Sequence, residues 1–281
     1  MAVTAGVHDT SELIITPPAK WADLGLRDAW RSRELLFFLV KRELLIRYKQ
    51  SLLGVSWAVL QPLALAFLFA LFFGRLADVP SDGVPYPVFA LAGLAPWLFC
   101  SQAVSQSAAS LLSDANLLSK VYFPRLVIPT AKLLALLVDL AVSMSVVLLF
   151  MLIYGVSLQS EAVLVPAFLL LAFVTGLGAG LLLAALNVKY RDVTVAVPLL
   201  MQIWLFATPV VYPGTLITGA WQYIYALNPM VSVIQGIRWA LLGTPAPAPG
   251  AVAVSVASAL VVLIIGLVYF RRTERFFADI I

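Results

Sequence analysis

Charge is scarce in this 281-residue chain: 11% of residues are Asp, Glu, Lys or Arg, against 62% hydrophobic. Soluble domains carry about 25% charged residues, so a soluble globular protein is excluded. The single cysteine, Cys100, sits inside an apolar run, which rules out an intrachain disulfide. The single histidine, His8, lies in a polar N-terminal stretch. One His and one buried Cys supply neither a metal cluster nor a nucleophile–base pair, so neither catalytic nor metal-ligating residues are assigned. No Gly-x-x-x-x-Gly-Lys-[Ser/Thr] phosphate loop is present, so ATP hydrolysis by that route is absent from the chain. Acidic residues are few and scattered, and no pair of carboxylates suggests hydrolysis. Residues 1–20 lack the apolar core of a signal peptide, leaving the first crossing to direct insertion.

What the chain does have is long apolar segments. A spanning helix needs about 20 mostly apolar residues, and candidates cover 55–76, 87–111, 126–154, 162–186, 193–212 and 251–270. Lys and Arg alternate along the connections. Lys20, Arg27, Arg31, Arg33, Lys41, Arg42, Arg47 and Lys49 precede the first candidate, and 78–86 has none. Lys120 and Arg125 follow, 155–161 has none, Lys189 and Arg191 come next, and Arg271, Arg272 and Arg275 close the chain. Short basic loops stay cytoplasmic, so the pattern predicts six crossings with both termini inside. The net charge of +4 then reflects flanks facing anionic lipid rather than nucleic-acid binding. Gly176, Gly178, Gly180, Ala184 and Ala185 in the fourth crossing suit close helix–helix approach.

Three further segments are informative. Before the first crossing, Leu36, Leu39, Val40, Leu44 and Tyr48 recur at helical spacing, with Arg33, Lys41, Arg42 and Lys49 largely off that stripe. This predicts a helix lying in the membrane interface. Residues 113–124 predict a helix of about two turns, capped by Ser113, favoured by Asp114 and Lys120, and stopped by Pro124. It reads either as a turn resting on lipid or as a knob docking into a cytoplasmic partner. A seventh apolar stretch, 221–242, is interrupted by Asn228-Pro229, an N-cap followed by a first-turn proline. Crossing there would reverse the charge rule, so two half-helices entering and leaving from the outer side are expected, with a hairpin on the outer surface as the alternative.

Two charges fall within the third crossing. Lys132, roughly 9 Å in, can snorkel to the cytoplasmic side. Asp139, roughly 20 Å in, incurs about 2.5–3.5 kcal/mol if charged and alone. It must be protonated, paired between helices, or facing a wet pathway.

Several local patterns together resemble one family. Arg42-Glu43 followed by Arg47-Tyr48-Lys49-Gln50-Ser51-Leu52-Leu53-Gly54-Val55-Ser56-Trp57 and Gln61-Pro62 is similar to the entry of the first helix in ATP-binding-cassette type-2 export permeases. The similar subgroup moves polysaccharides, as O-antigen, teichoic-acid and capsule exporters. Gly93 to Trp97, Asn116 to Arg125, Asn187 to Val193, Pro209 to Pro213, Asn228 to Met230 and Glu274 to Asp279 add matches in the same order.

The resemblance implies an all-α integral membrane fold of six transmembrane helices, with an N-terminal interfacial amphipathic helix and a re-entrant helical hairpin before the last helix. Residues 1–30 form a cytoplasmic tail, 31–54 the interfacial helix and entrance loop, 55–270 the transmembrane domain and 271–281 a second tail. It implies a non-catalytic permease subunit, forming a homodimer and binding two separate ATPase subunits that use ATP and Mg. No cofactor is bound by this chain. The substrate is a lipid-linked polysaccharide, crossing the inner membrane of a bacterium. Asn116, Leu117, Lys120, Val121, Phe123, Pro124 and Arg125 match the helix that couples to the ATPase. Arg42, Arg47, Tyr48, Lys49, Ser51, Leu53 and Gly54 match the entrance where a lipid pyrophosphate engages, the basic residues able to pair with phosphate. Tyr212, Pro213, Trp221, Asn228, Pro229 and Arg238 fall in the outer gate. Trp57, Phe69, Phe72, Phe73, Trp204 and Phe206 are candidate rings along the conduit. A drug or lipid exporter of the same fold, or a proton-coupled carrier acting alone, are the competing functions.

Overall fold

The computed structural model describes residues 31–49, 56–115, 117 and 123–274. All regular elements among them are helices. They are α1 (Arg33–Lys49), α2 (Ser56–Phe69) continued by a π-helical turn (Ala70–Leu76), α3 (Tyr86–Ser113), α4 (Val127–Ile153), and α5 (Val165–Lys189) after a short 3-10 turn (Ser160–Leu164). Then follow α6 (Val193–Phe206), α7 (Trp221–Tyr225), α8 (Pro229–Leu242) and α9 (Pro249–Thr273). Among the described residues, five segments are long and apolar enough to cross a membrane: Ser56–Leu76, Tyr86–Ser113, Val127–Ile153, Ser160–Lys189 and Pro249–Thr273. This is a multi-pass membrane protein.

The fifth expected crossing, over 193–212, is realised as a shorter helix. Its helix is α6, with 14 residues, about 21 Å long. Pro209 disfavours helical geometry at Thr208, and 207–212 form turns instead.

Helix α3 is central. It packs against α2, α4, α5, α6 and α8, and Val88 to Ala95 are almost wholly sealed. Small residues on α5 permit the closest approaches. A Cβ on Gly180 would lie 2.7 Å from the Ser107 Cβ of α3, and one on Gly178 would lie 2.7 Å from the Leu263 Cα of α9. Gly266 of α9 meets the Gly178 backbone from the other side. Where lipid is as apolar as the helices, such contact and dispersion take over from the hydrophobic effect.

The two ends differ in charge. At the basic end, Leu39, Leu111, Phe123, Leu126, Val188 and Phe270 form one apolar cluster under α1. The opposite end brings 78–85 and 213–216 together, where the Thr215 hydroxyl donates to Asp82 at 2.9 Å. Arg75, closing the π-helical turn, is the one exposed basic side chain at that end among the described residues.

Helix α1 corrects the sequence reading in one respect. The stripe assigned to the membrane (Leu36, Leu39, Val40) packs onto the bundle, while Phe37, Phe38, Leu45 and Ile46 form a second apolar face turned outward. The helix is apolar on two sides because it is wedged between protein and its surroundings. A second correction concerns Ser113. It does not cap a new helix: α3 runs through it, and its hydroxyl donates back to the Ser110 carbonyl at 3.0 Å.

Replacing Gly266 with Leu drives a side chain into the α5 backbone. Overpacking of this kind costs about 1–3 kcal/mol, so the variant should melt at lower temperature in detergent. An unchanged melting curve contradicts the α5–α9 contact.

Candidate functional site

At the basic end, α1 is pinned by two sets of charges. Arg42 donates to Asp114 at 2.8 Å. Lys132 of α4 reaches Glu43 at 3.3 Å and Asp114 at 3.2 Å. Further along α1, Arg47 pairs with Asp139 and also donates to the Gln106 side-chain oxygen at 2.6 Å, while the Tyr48 hydroxyl donates to Asp139. Burial, with the hydrogen bond to Asp139 next, pushes the Tyr48 phenol well above its ordinary range, so it stays a donor. Of the three fates open to Asp139, pairing is the one observed. Lys132 does lean toward the basic end, and is paired there.

These contacts enclose a cavity of about 250 Å3, lined by Arg47, Tyr48 and Asp139 at one side and by Trp57, Gln61 and Gln102 at another. Of the entrance residues, Arg42, Arg47 and Tyr48 therefore already hold partners on α3 and α4. Lys49 is exposed, with no ion pair among the described residues. Ser51, Leu53 and Gly54 lie outside the described residues. So do Asn116, Lys120 and Val121 of the coupling segment. Within that segment Leu117 and Phe123 pack into the apolar cluster at the basic end. Beyond Pro124, Arg125 is held by Glu274: its backbone N–H donates to the carboxylate at 3.1 Å and its guanidinium to the Glu274 carbonyl.

The opposite end is organised around Arg238. It is 2% exposed and no carboxylate pairs with it among the described residues. Its guanidinium donates instead to the carbonyls of Phe89 (3.1 Å), Pro209 (2.6 Å), Val210 (2.6 Å) and Tyr212 (3.3 Å). It also lies 3.4 Å from the Phe89 ring centroid, where the ring's negative face supports the cation. Five donors in a rigid fork make Arg suited to this. Gly93 leaves the room, since a Cβ there would lie 2.6 Å from the Arg238 guanidinium.

Asn228 performs the expected cap, its side-chain oxygen accepting from the Met230 N–H at 3.1 Å with Pro229 beginning α8. The same oxygen accepts from Trp204 Nε1 at 2.9 Å, and its amide donates to the Ala207 carbonyl and the Thr208 hydroxyl. The cap thus joins α8 to the end of α6. Ser255 and Ser258 of α9 donate to the carbonyls of Ala226 and Leu227. Those serines lie about 9 and 13 Å along α9 from Pro249, so the α7–α8 junction reaches well into the bundle. Nearly all of α8 is buried. Helix α8 is thus packed inside the bundle and not laid on its surface. Tyr212 and Tyr225 share a hydroxyl contact of 2.7 Å beside it, next to Pro213, while Trp221 is exposed.

The candidate conduit rings divide. Trp204 packs edge-on to Trp97 at 5.6 Å and is bonded to Asn228. Phe69 and Phe73 form an edge-on pair at 5.6 Å. Trp57, Phe72 and Phe206 are exposed by more than half. Sequence reasoning passed over Gln102 and Gln106, and gave Gln61, Glu43 and Asp114 no part in the site although it had named them in motifs or a helix end. A legible signal existed: Ser101-Gln102 and Ser105-Gln106 repeat four residues apart inside an apolar crossing.

A helical bundle with a cavity lined by both charged and apolar side chains between its crossings, and a buried short helix at its far end, is the frame of a membrane transporter. The chain belongs to the ABC-2 type transporter family, whose model matches residues 34–242. It is 35% identical over 216 residues to the O-antigen export system permease protein RfbA of Myxococcus xanthus, covering 76% of this chain and 82% of that one. A protein of the same name from Klebsiella pneumoniae is 25% identical over 249 residues, 88% of this chain and 95% of its own. The polysialic acid transport protein KpsM of Escherichia coli is 27% identical over 250 residues, 84% and 92% respectively.

Each carbonyl stranded by removing Arg238 costs about 1–3 kcal/mol. Arg238→Met should therefore lower the melting temperature and open 207–216 to protease. Wild-type melting and cleavage patterns would contradict the role given to the guanidinium.

Proposed function

We propose that this chain is the permease subunit of an ATP-driven exporter that moves a lipid-linked, O-antigen-like polysaccharide across a bacterial inner membrane. The single observation that carries the reading is the 35% identity, over most of both chains, to an O-antigen export permease. Both termini lie in the cytoplasm, so the basic end faces inward. Two copies pair around a conduit walled by α2 and α6, and two separate ATPase subunits supply ATP hydrolysis with Mg. The chain itself binds no cofactor and catalyses nothing.

The lipid pyrophosphate enters beside α1. Lys49 is the exposed cation there, and Arg47 can turn to phosphate only by leaving Asp139. Recognition and release of α1 are therefore linked: a dianionic phosphate competes with a carboxylate for the same guanidinium. The segment 116–125 docks on the ATPase. Its two ends are tied to the bundle through Asp114, bonded to α1 and α4, and through Arg125, bonded to Glu274 after α9. A push on this segment thus reaches both the entrance helix and the last crossing. At the outer side, Asn228 and Arg238 hold α8 against α6, α3 and the 209–212 turn, and their bonds must rearrange for the chain to pass.

A capsule-type glycan is the second reading, favoured by the similarity to the polysialic acid transport protein. Deleting the gene should cause a lipid-linked glycan to accumulate on the cytoplasmic leaflet, detected by extraction and mass spectrometry. The headgroup identifies the polymer class. Absence of any accumulated lipid-linked glycan would contradict the reading.

A further inference from the structure

Helix α3 is buried along most of its length, and the stripe it leaves open, flanked by Leu98 and Ala109, is polar from Ser101 to Gln106. Ser101, Gln102, Ser105 and Gln106 are half-buried, while Cys100, Ala103, Val104 and Ser107 between them are sealed. Gln106 and Gln102 lie about 10 and 16 Å from the basic end of α3 at Ser113. Amides at that depth are unfavourable unless bonded or wetted. Gln106 accepts from Arg47. Gln102 makes one long bond, donating to the Gln61 side-chain oxygen at 3.3 Å. That leaves the Gln61 amide N–H groups and the Gln102 carbonyl oxygen without partners among the described residues. Both residues line the 250 Å3 cavity, and so does Trp57, 54% exposed.

We propose that this cavity is a sugar subsite that takes one pyranose ring of the transported glycan. The inference rests on the function proposed above and names the part of the substrate this cavity reads. A free amide donor beside a free amide acceptor matches hydroxyl groups, which both give and accept hydrogen bonds. The Trp57 indole offers an apolar face for the C–H side of the ring. While Arg47 stays paired with Asp139 at the far wall, the cavity presents no unpaired charge, so with α1 docked the subsite suits an uncharged sugar. A lipid tail would leave the Gln61 and Gln102 amides unbonded against hydrocarbon, and an inorganic ion would need converging unpaired charges; the apolar remainder of the lining, with Trp57, Pro62, Leu98 and Phe99, suits the C–H faces of a sugar ring.

The test uses the membrane complex purified from its native host and two probes: a bare polyprenyl pyrophosphate, and the same lipid carrying one hexose. The unaltered complex should bind the sugar-bearing probe about tenfold tighter, the worth of one or two net hydrogen bonds. In the Gln61→Met/Gln102→Met variant, the ratio of the two affinities should fall to near one. A ratio near one in the unaltered complex, or an undiminished ratio in the variant, overturns the subsite. Loss of self-association in the variant with the ratio intact assigns the stripe to a contact between copies, and also overturns it. If the double variant does not fold, the single Gln102→Met variant is judged by the same ratio. Failure of both probes to bind the unaltered complex would instead contradict the wider reading as a carrier of lipid-linked glycan.

Discussion

A charge taken out of water into a helical bundle must be cancelled there, and this constraint organises both ends of the molecule. Asp139 lies well along α4 at the wall of the cavity, and Arg47 pairs with it there, holding α1 onto α4. Lys132 is placed where Glu43 and Asp114 can share it, which fastens the same helix a second time. At the far end Arg238 finds no carboxylate among the described residues and is held by four carbonyls, which belong to α3 and to the turn after α6. Helices α1 and α8 also bury apolar surface, but these polar contacts fix where along the bundle each one sits. Their positions follow from where charge can be neutralised.

Between those ends the bundle divides into a rigid part and an open part. Helices α3, α5 and α9 approach closely through Gly178, Gly180 and Gly266, which leaves little freedom to slide. Helices α2 and α6 lie against α3 with much of their apolar surface uncovered: Phe67, Phe72, Val195 and Ile203 are exposed. The first crossing also ends in a π-helical turn, in which the Ala77 N–H bonds the Phe72 carbonyl five residues back. Such turns loosen a helix and often mark functional segments. A fixed core flanked by two loosely covered helices is suited to a conduit whose walls move while its frame does not.

Much of this fold was legible in the sequence, for physical reasons that can be named. Length and hydropathy place the crossings because a bilayer tolerates only closed hydrogen-bonding there. Asn228-Pro229 announces the start of α8 because cap and first-turn chemistry are local. The shortening of the 193–212 segment to Val193–Phe206 was missed by hydropathy, which weighs the apolar residues of the turn and not the break that Pro209 makes. The partners of Arg42, Arg47 and Arg238 were hidden too. Those contacts join residues 72, 92 and up to 149 positions apart, and no periodicity encodes them. The facing of α1 was misread because Leu39 and Phe38, one residue apart, serve opposite apolar surfaces.

The central claim is that this passage is driven by a motor outside the chain. The most direct measurement is transport in vesicles containing the purified protein with and without its ATPase partner, using a lipid-linked glycan as substrate. Transfer to the opposite leaflet that requires both the ATPase and hydrolysable ATP is the result predicted. Equal transfer by this protein alone, without nucleotide, would contradict the account.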